Sequence, residues 1–192
     1  MFDLIGFRAI NGLAGRWVAL DAVFIFGATW LIFVMVAFLA AYVAAAWKTT
    51  HFEGRTENAA HAAWAVTIGF VLEHLIGFFW FRARPFVALT HVVKLVDRMP
   101  LEKSFPSAHA TFAFALAWSL FFHNRRWGGA MLVLACAVAL SRVAVGVHYP
   151  TDVIGGALTG LFAAAVASPV KKKIEPYLEL FPVFRKYKRK EV

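Results

Sequence analysis

The sequence predicts an all-α fold, a polytopic membrane helix bundle of about five transmembrane helices with an N-terminal interfacial helix. Three observations predict it. Apolar residues make up 61% of the 192 and the mean hydropathy is +0.67, whereas soluble domains are roughly half apolar or less. Long apolar stretches recur at a length suited to the ~20 residues that a helix needs to cross the hydrocarbon core. Trp and Phe gather near the ends of those stretches, where amphipathic rings settle at a membrane interface.

The elements follow in order. Met1 to Arg16 is too short and too charged to cross; Phe2, Ile5, Ala9 and Leu13 share one helical face, so this segment is expected to lie at the interface. It does not read as a cleaved leader, because Asp3 stands where a basic start is usual and no small-residue cleavage site follows. Ala22–Trp47 holds 26 residues without a charge and is the first span. Asn58–Phe81 is the second, with Glu73 and His74 inside it. Phe105–Phe122 is the third, Trp127–Leu140, extending through Val147, the fourth, and Val153–Val170 the fifth. Residues 1–192 are expected to form a single domain ending in a basic cytoplasmic tail, 171–192. The lone Cys136, inside an apolar run, excludes an internal disulfide and reads as a buried small hydrophobe.

The net charge of +9 does not point to nucleic acid, because the basic residues sit between apolar runs and at the C-terminus. With five spans, Lys48, Arg55, Arg125, Arg126 and the tail from Lys171 to Lys190 fall on one side. They are 12 of the 20 Lys and Arg residues. The excess of basic residues places that side in the cytoplasm. The loops Arg82–Lys103 and Arg142–Asp152 then face outward.

Three clusters share the outer face: RARPF (Arg82–Phe86), KSFPSAH (Lys103–His109) and SRVAVGVHYPTD (Ser141–Asp152). They bring together arginines, serine, two histidines and one aspartate, without the paired acids or cysteines that hold a divalent metal. Neither metal nor cofactor is expected. Guanidinium forks match phosphate oxygens. Pro106 suits a first helical turn, with Ser107 beside the unpaired N–H groups of a helix start, a ready anion site. His148 and Asp152 stand four apart, which lets the carboxylate accept one ring N–H and leave the other nitrogen to attack phosphorus. His109 remains to protonate the leaving oxygen. An ordinary imidazole titrates near ~6.5, so one neutral and one charged ring can coexist near neutrality.

RP, PSAH and SRVAVGVHYPTD together resemble the three-part signature K-x6-RP, PSGH, SR-x5-H-x3-D of the type 2 phosphatidate phosphatase superfamily, the lipid phosphate phosphatases. The resemblance covers about residues 77–152. It implies that His148 is the nucleophile that becomes a phosphohistidine, Asp152 its orienter and His109 the acid. It also implies that Arg84, Ser107, Ala108 through its backbone N–H, and Arg142 bind the phosphate. Two departures stand out. Gly77 occupies the position of the signature lysine, a charge that Arg82 is a candidate to supply, and Ala108 replaces glycine. FRARPFV, the lysine-less first part and the short five-span layout look like the bacitracin-resistance type of undecaprenyl-diphosphate phosphatase. The resemblance therefore implies metal-independent hydrolysis of undecaprenyl diphosphate to the monophosphate and inorganic phosphate at a bacterial plasma membrane. The implied partners are a polyprenyl diphosphate lipid and membrane lipids.

Alternatives stay open at this point. A broader phosphatase acting on phosphatidate or phosphatidylglycerol phosphate uses the same groups, and a related pocket serves vanadate-dependent haloperoxidases. A non-catalytic anion or lipid carrier needs the arginines but not a nucleophile–carboxylate pair. Arg142 can snorkel instead of binding. The loop Arg82–Lys103, with five basic residues against Asp97 and Glu102, suits a diphosphate or anionic head groups alike. His91, Lys94, Arg98 and Lys103 read as solvated loop charges. Glu73, costly within a span, requires protonation or a partner, for which an outer-loop arginine is the candidate. The GGA segments at Gly128 and Gly155 read as helix contacts. The sequence sets no oligomeric state.

Overall fold

The computed structural model describes residues 2–47, 49–97 and 103–178, with side chains omitted at 52, 53 and 168–178. Lys48, Arg98, Glu102 and the tail beyond residue 178 lie outside the described residues. The regular elements described are all helices: α1 (Phe2–Asn11), α2 (Val18–Thr29), α3 (Leu31–Ala44), α4 (Phe52–Phe79), α5 (Pro85–Ala88), α6 (Ala108–His123), α7 (Arg125–Ala144) and α8 (Pro150–Leu178).

Among the described residues, three helical stretches are long and apolar enough to cross a membrane: Gly54–Phe79 of α4, all of α7 and Pro150–Ala167 of α8. The expected first span is a bent pair, α2 and α3, turning by 57° at Trp30. Thr29 Oγ1 donates to the Ile25 carbonyl at 2.6 Å, a side-chain bond of the kind that bends helices. The expected third span is α6. It is a 16-residue helix, because the chain before its N-cap Ser107 is irregular; Pro106 therefore precedes the cap and does not form the first turn. Pro150, by contrast, does open α8, where its missing N–H costs nothing.

Small residues let the helices approach. Ala65, Ala115, Ala164 and Ala167 form a buried seam between α4, α6 and α8. A Cβ at Gly156 would lie 2.6 Å from the Ser107 carbonyl oxygen, and one at Gly160 2.6 Å from that of Thr111. These glycines bring α8 against the backbone of α6, as small residues do in membrane packing, and register Ser107 to the start of α8. Larger side chains (Leu31, Met35, Leu116, Leu120, Met131 and Val138) form a core cluster of α6 with α3 and α7.

The N-terminal helix is docked on the bundle. Its predicted apolar face points outward, with Phe2, Ile5, Ala9 and Leu13 exposed. The opposite face, Phe7, Asn11 and Ala14, is buried against the bundle. Asn11 Nδ2 donates to the carbonyls of Val93 (2.7 Å) and Ala144 (2.8 Å), and its Oδ1 accepts from Val93 N–H at 3.1 Å. Those bonds tie the loop after α5 to the end of α7. Cys136 is exposed on α7: an apolar residue of a membrane helix gains as much from lipid as from the core.

Candidate active site

The site is built where α7 ends and α8 begins. Gly146 turns the chain with φ +83°, and a Cβ there would sit 2.5 Å from the Val93 carbonyl oxygen. Both conformation and space therefore require glycine. The turn delivers His148, 2% exposed, toward the first turn of α8. Its Nδ1 lies 3.5 Å from Asp152 Oδ2. That oxygen also accepts from Ser104 Oγ at 2.5 Å and from Tyr149 N–H at 2.8 Å. On the other side of the ring, Arg84 Nη1 lies 3.3 Å from Nε2 and 3.1 Å from the Val147 carbonyl. An Nδ1–H tautomer satisfies both contacts, leaving the Nε2 lone pair facing the arginine. Burial, reinforced by the positive fields of Arg142 and Arg84 and opposed by Asp152, pushes the His148 pKa down to about 4.

Arg82 is turned to the carboxylates. Its Nη1 donates to Asp152 Oδ1 (2.8 Å) and Thr151 Oγ1 (2.7 Å), and its Nη2 to Asp3 Oδ2 (2.5 Å). The guanidinium also lies over the Tyr149 ring, 3.8 Å from its centroid. Burial alone would lower its pKa, but Asp3 and Asp152 raise it above the ordinary value. Asp3 further accepts from Thr151 N–H at 2.9 Å and Thr151 Oγ1 at 2.6 Å. Burial pushes the Asp3 carboxyl up; the bonds from Thr151 and Arg82 outweigh it and hold the group below the usual carboxylate range. Helix α1 is thus wired into the support of Asp152. Beside this network opens a cavity of about 510 Å³ lined by Asp3, Trp80, Phe81, Arg82, Phe105 and Thr151.

The start of α6 faces the same region. Ser107, fully buried, caps it by accepting from Ala110 N–H at 3.5 Å, and its own N–H donates to the Asp152 carbonyl at 3.0 Å. Ala108 is exposed and half-buried His109 follows it; their N–H groups belong to the first turn, which has no intrahelical acceptors. His109 has Arg142, His148 and Arg84 as its electrostatic neighbours. Arg142, 1% exposed, donates from Nη1 to the Ala28 carbonyl at 3.1 Å. Ala28 lies in the last turn of α2, where helix carbonyls lack intrahelical partners. Arg142 is therefore held inside the bundle and does not snorkel.

Glu73 is 3% exposed on α4, and its partner is a lysine, not an arginine. Lys103 Nζ lies 3.3 Å from Oε1, and His74 Nδ1 lies 2.7 Å from Oε2. Lys103 is thereby no solvated loop charge. Its side chain fills the space beside Gly77, where a Cβ would stand 2.6 Å from Nζ.

A family model described as the PAP2 superfamily matches residues 58–175, from within α4 to within α8. The chain belongs to the PAP2 superfamily. Among PAP2-related sequences, the chain is 30% identical over 190 residues to the bacitracin transport permease protein BcrC of Bacillus licheniformis, covering 99% of this chain and 91% of that protein. It is 31% identical over 177 residues to undecaprenyl-diphosphatase BcrC of Bacillus subtilis, covering 91% and 86%. The crystal structure of Aquifex aeolicus LpxE matches with a TM-score of 0.68 at 26% identity, covering 88% of this chain and 96% of that one.

Within the PAP2 frame, the third sequence cluster is delivered intact to one buried turn, and Arg84, Ser107, Ala108 and His109 converge on it from two other segments. Arg82 instead backs the carboxylate. Spacing does not single out Asp3, Ser104 or Thr151 as parts of the site, and it does not pair Glu73 with Lys103. Ser104 and Lys103 lie within the KSFPSAH cluster, but spacing carries no sign of what each side chain touches. Asp3 is a lone acid in an interfacial segment and gave no signal.

Proposed function

We propose that the chain hydrolyses undecaprenyl diphosphate to undecaprenyl phosphate and inorganic phosphate at the outer face of the membrane, through a phosphohistidine on His148. The observation that carries the reading is the imidazole held from both sides: Asp152 behind Nδ1 at 3.5 Å and Arg84 before Nε2 at 3.3 Å. A terminal phosphate draws the Arg84 donors onto its own oxygens, exposing the Nε2 lone pair in line with phosphorus. Arg142 and the first-turn N–H groups of α6 complete a cationic cradle for charge that develops in transfer. The N–P bond forms as the bridging P–O bond breaks, and His109 gives its proton to the departing lipid monophosphate. Water, deprotonated by His109, then attacks phosphorus, the N–P bond breaks, and inorganic phosphate leaves. No step calls on a metal.

The similarity to a protein named undecaprenyl-diphosphatase across 91% of the chain supports the diphosphate substrate. The positive-inside reading of the loops supports an outward-facing site, with the C-terminal segment cytoplasmic. The polyprenyl tail remains in the bilayer, where Phe78, Phe79, Trp80 and Phe81 stand exposed at the end of α4. Arg82 serves in this reading as a clamp on Asp152 and not as the replacement for the absent first-cluster lysine.

The test is phosphate release by the purified protein from undecaprenyl diphosphate and from phosphatidate. The diphosphate is expected to have the larger kcat/KM. Equal or reversed preference points to the broader lipid phosphatase, and no release from either points to a carrier.

A further inference from the structure

Glu73 and Lys103 touch neither the phosphate cradle nor the reacting ring, yet their geometry leads to both. Glu73 lies in the last two turns of α4, almost without exposure. A carboxylate there is costly unless paired. Lys103 reaches it across the bundle, with Nζ 3.3 Å from Oε1 and 3.4 Å from the backbone carbonyls of both Glu73 and His74. The reach requires Gly77, since a Cβ would stand 2.6 Å from Nζ and 2.8 Å from Cε. The next residue is Ser104, fully buried, whose N–H donates to the Arg82 carbonyl at 2.8 Å. Its hydroxyl donates to Asp152 Oδ2 at 2.5 Å and lies 3.5 Å from His148 Nδ1. One peptide unit therefore separates the grip on α4 from the grip on the carboxylate.

We propose that the Glu73–Lys103 ion pair, seated in the space that Gly77 leaves, is a positioning device for Asp152. It fixes the Lys103–Ser107 segment against α4 and so holds the Ser104 hydroxyl on the carboxylate that orients His148. The inference rests on the reading of His148 and Asp152 as the reacting pair. A different role, mere neutralisation of Glu73, makes a different prediction. A lysine at position 77 stands four residues after Glu73 on the same helix and can pair with it, but cannot hold Ser104.

The experiment measures phosphate release from undecaprenyl diphosphate by the purified full chain and its variants Lys103→Ala, Ser104→Ala, the double variant, Gly77→Ala and Gly77→Lys/Lys103→Ala, beside His148→Ala. Slight misplacement of a reacting group costs up to about 100-fold; the expected loss of kcat is about tenfold for Lys103→Ala and for Ser104→Ala, with KM within about twofold. If Lys103 acts through Ser104, the double variant is no slower than Ser104→Ala alone. Gly77→Ala reproduces the Lys103→Ala loss, and Gly77→Lys/Lys103→Ala stays slow. Should Lys103→Ala not fold, Glu73→Gln/Lys103→Met removes both charges together, leaving no lone buried ion, and is expected to fold with the same loss of kcat. Wild-type kcat in a folded Lys103 variant while His148→Ala is inactive overturns the inference, as do losses that multiply in the double variant or rescue by lysine at 77. Activity in His148→Ala overturns the reacting-pair reading and this inference with it.

Discussion

Asp152 Oδ2 lies 3.5 Å from His148 Nδ1 while accepting from Ser104 Oγ and Tyr149 N–H, and Asp152 Oδ1 accepts from Arg82. The carboxylate is thus fixed by donors from three segments before it meets the ring. Asp152→Asn keeps the volume but presents an amide NH₂ to one of those donors and removes the charge that stabilises an imidazolium. The expected outcome is a kcat lowered by about 10² to 10⁴, with the protein still folded. A loss below threefold in steady-state kinetics would count against the orienting role.

In the proposed mechanism, protonation of His148 removes the attacking lone pair, and its pKa of about 4 sets where that happens. The acid limb of kcat/KM, which reports the free enzyme, is expected near pH 4, well below the ~6.5 of an ordinary imidazole. The same depression makes folding pH-dependent. The unfolded chain binds a proton near pH 6.5 that the folded protein refuses until about pH 4. This contribution to stability is complete above ~6.5 and is lost as the pH falls through that window. A pH profile of kcat/KM bending at 6.5 would contradict the buried, arginine-flanked environment.

Arg82 distinguishes support from binding. Its terminal nitrogens go to Asp152, Thr151 and Asp3. Asp3→Asn and Arg82→Ala are therefore expected to lower kcat, by about tenfold or more as a reacting group loses its placement, and to leave KM nearly unchanged. A phosphate ligand behaves otherwise, with a KM that rises on removal. Kinetics that show a large KM increase for Arg82→Ala and none for Asp3→Asn would return Arg82 to the cradle.

Gly146 offers a structural test. With φ +83° and Val93 O only 2.5 Å from a prospective Cβ, Gly146→Ala is strained twice over. It is expected to destabilise the fold by more than about 1 kcal/mol and to lower kcat through misplacement of His148. Thermal unfolding in detergent alongside turnover checks both; an unchanged midpoint would mean that the turn adapts.

How much was legible in the sequence depended on whether the signal was local. The span from His148 to Asp152 is one turn of chain, so spacing alone brought the ring and carboxylate together. Apolar run length identified α4, α7 and α8 for the same reason. Spacing did not find what required the chain to return from afar. Asp3 meets Thr151 across 148 residues, and Lys103 meets Glu73 across 30; no periodicity encodes such pairs. Arg82 and Arg84 are two residues apart and chemically alike, yet one faces the ring and the other the carboxylate. Their division of labour is set by tertiary contacts. The bend at Trp30 was hidden because a hydropathy window sees an uninterrupted apolar run.

The most direct measurement is a rapid quench of the purified protein with undecaprenyl diphosphate carrying label in its terminal phosphate. The account predicts an early burst of protein-bound label, stable in base and lost in acid, that is absent from His148→Ala. Turnover at the full rate with no bound label during the burst, or equal labelling of His148→Ala, would contradict it.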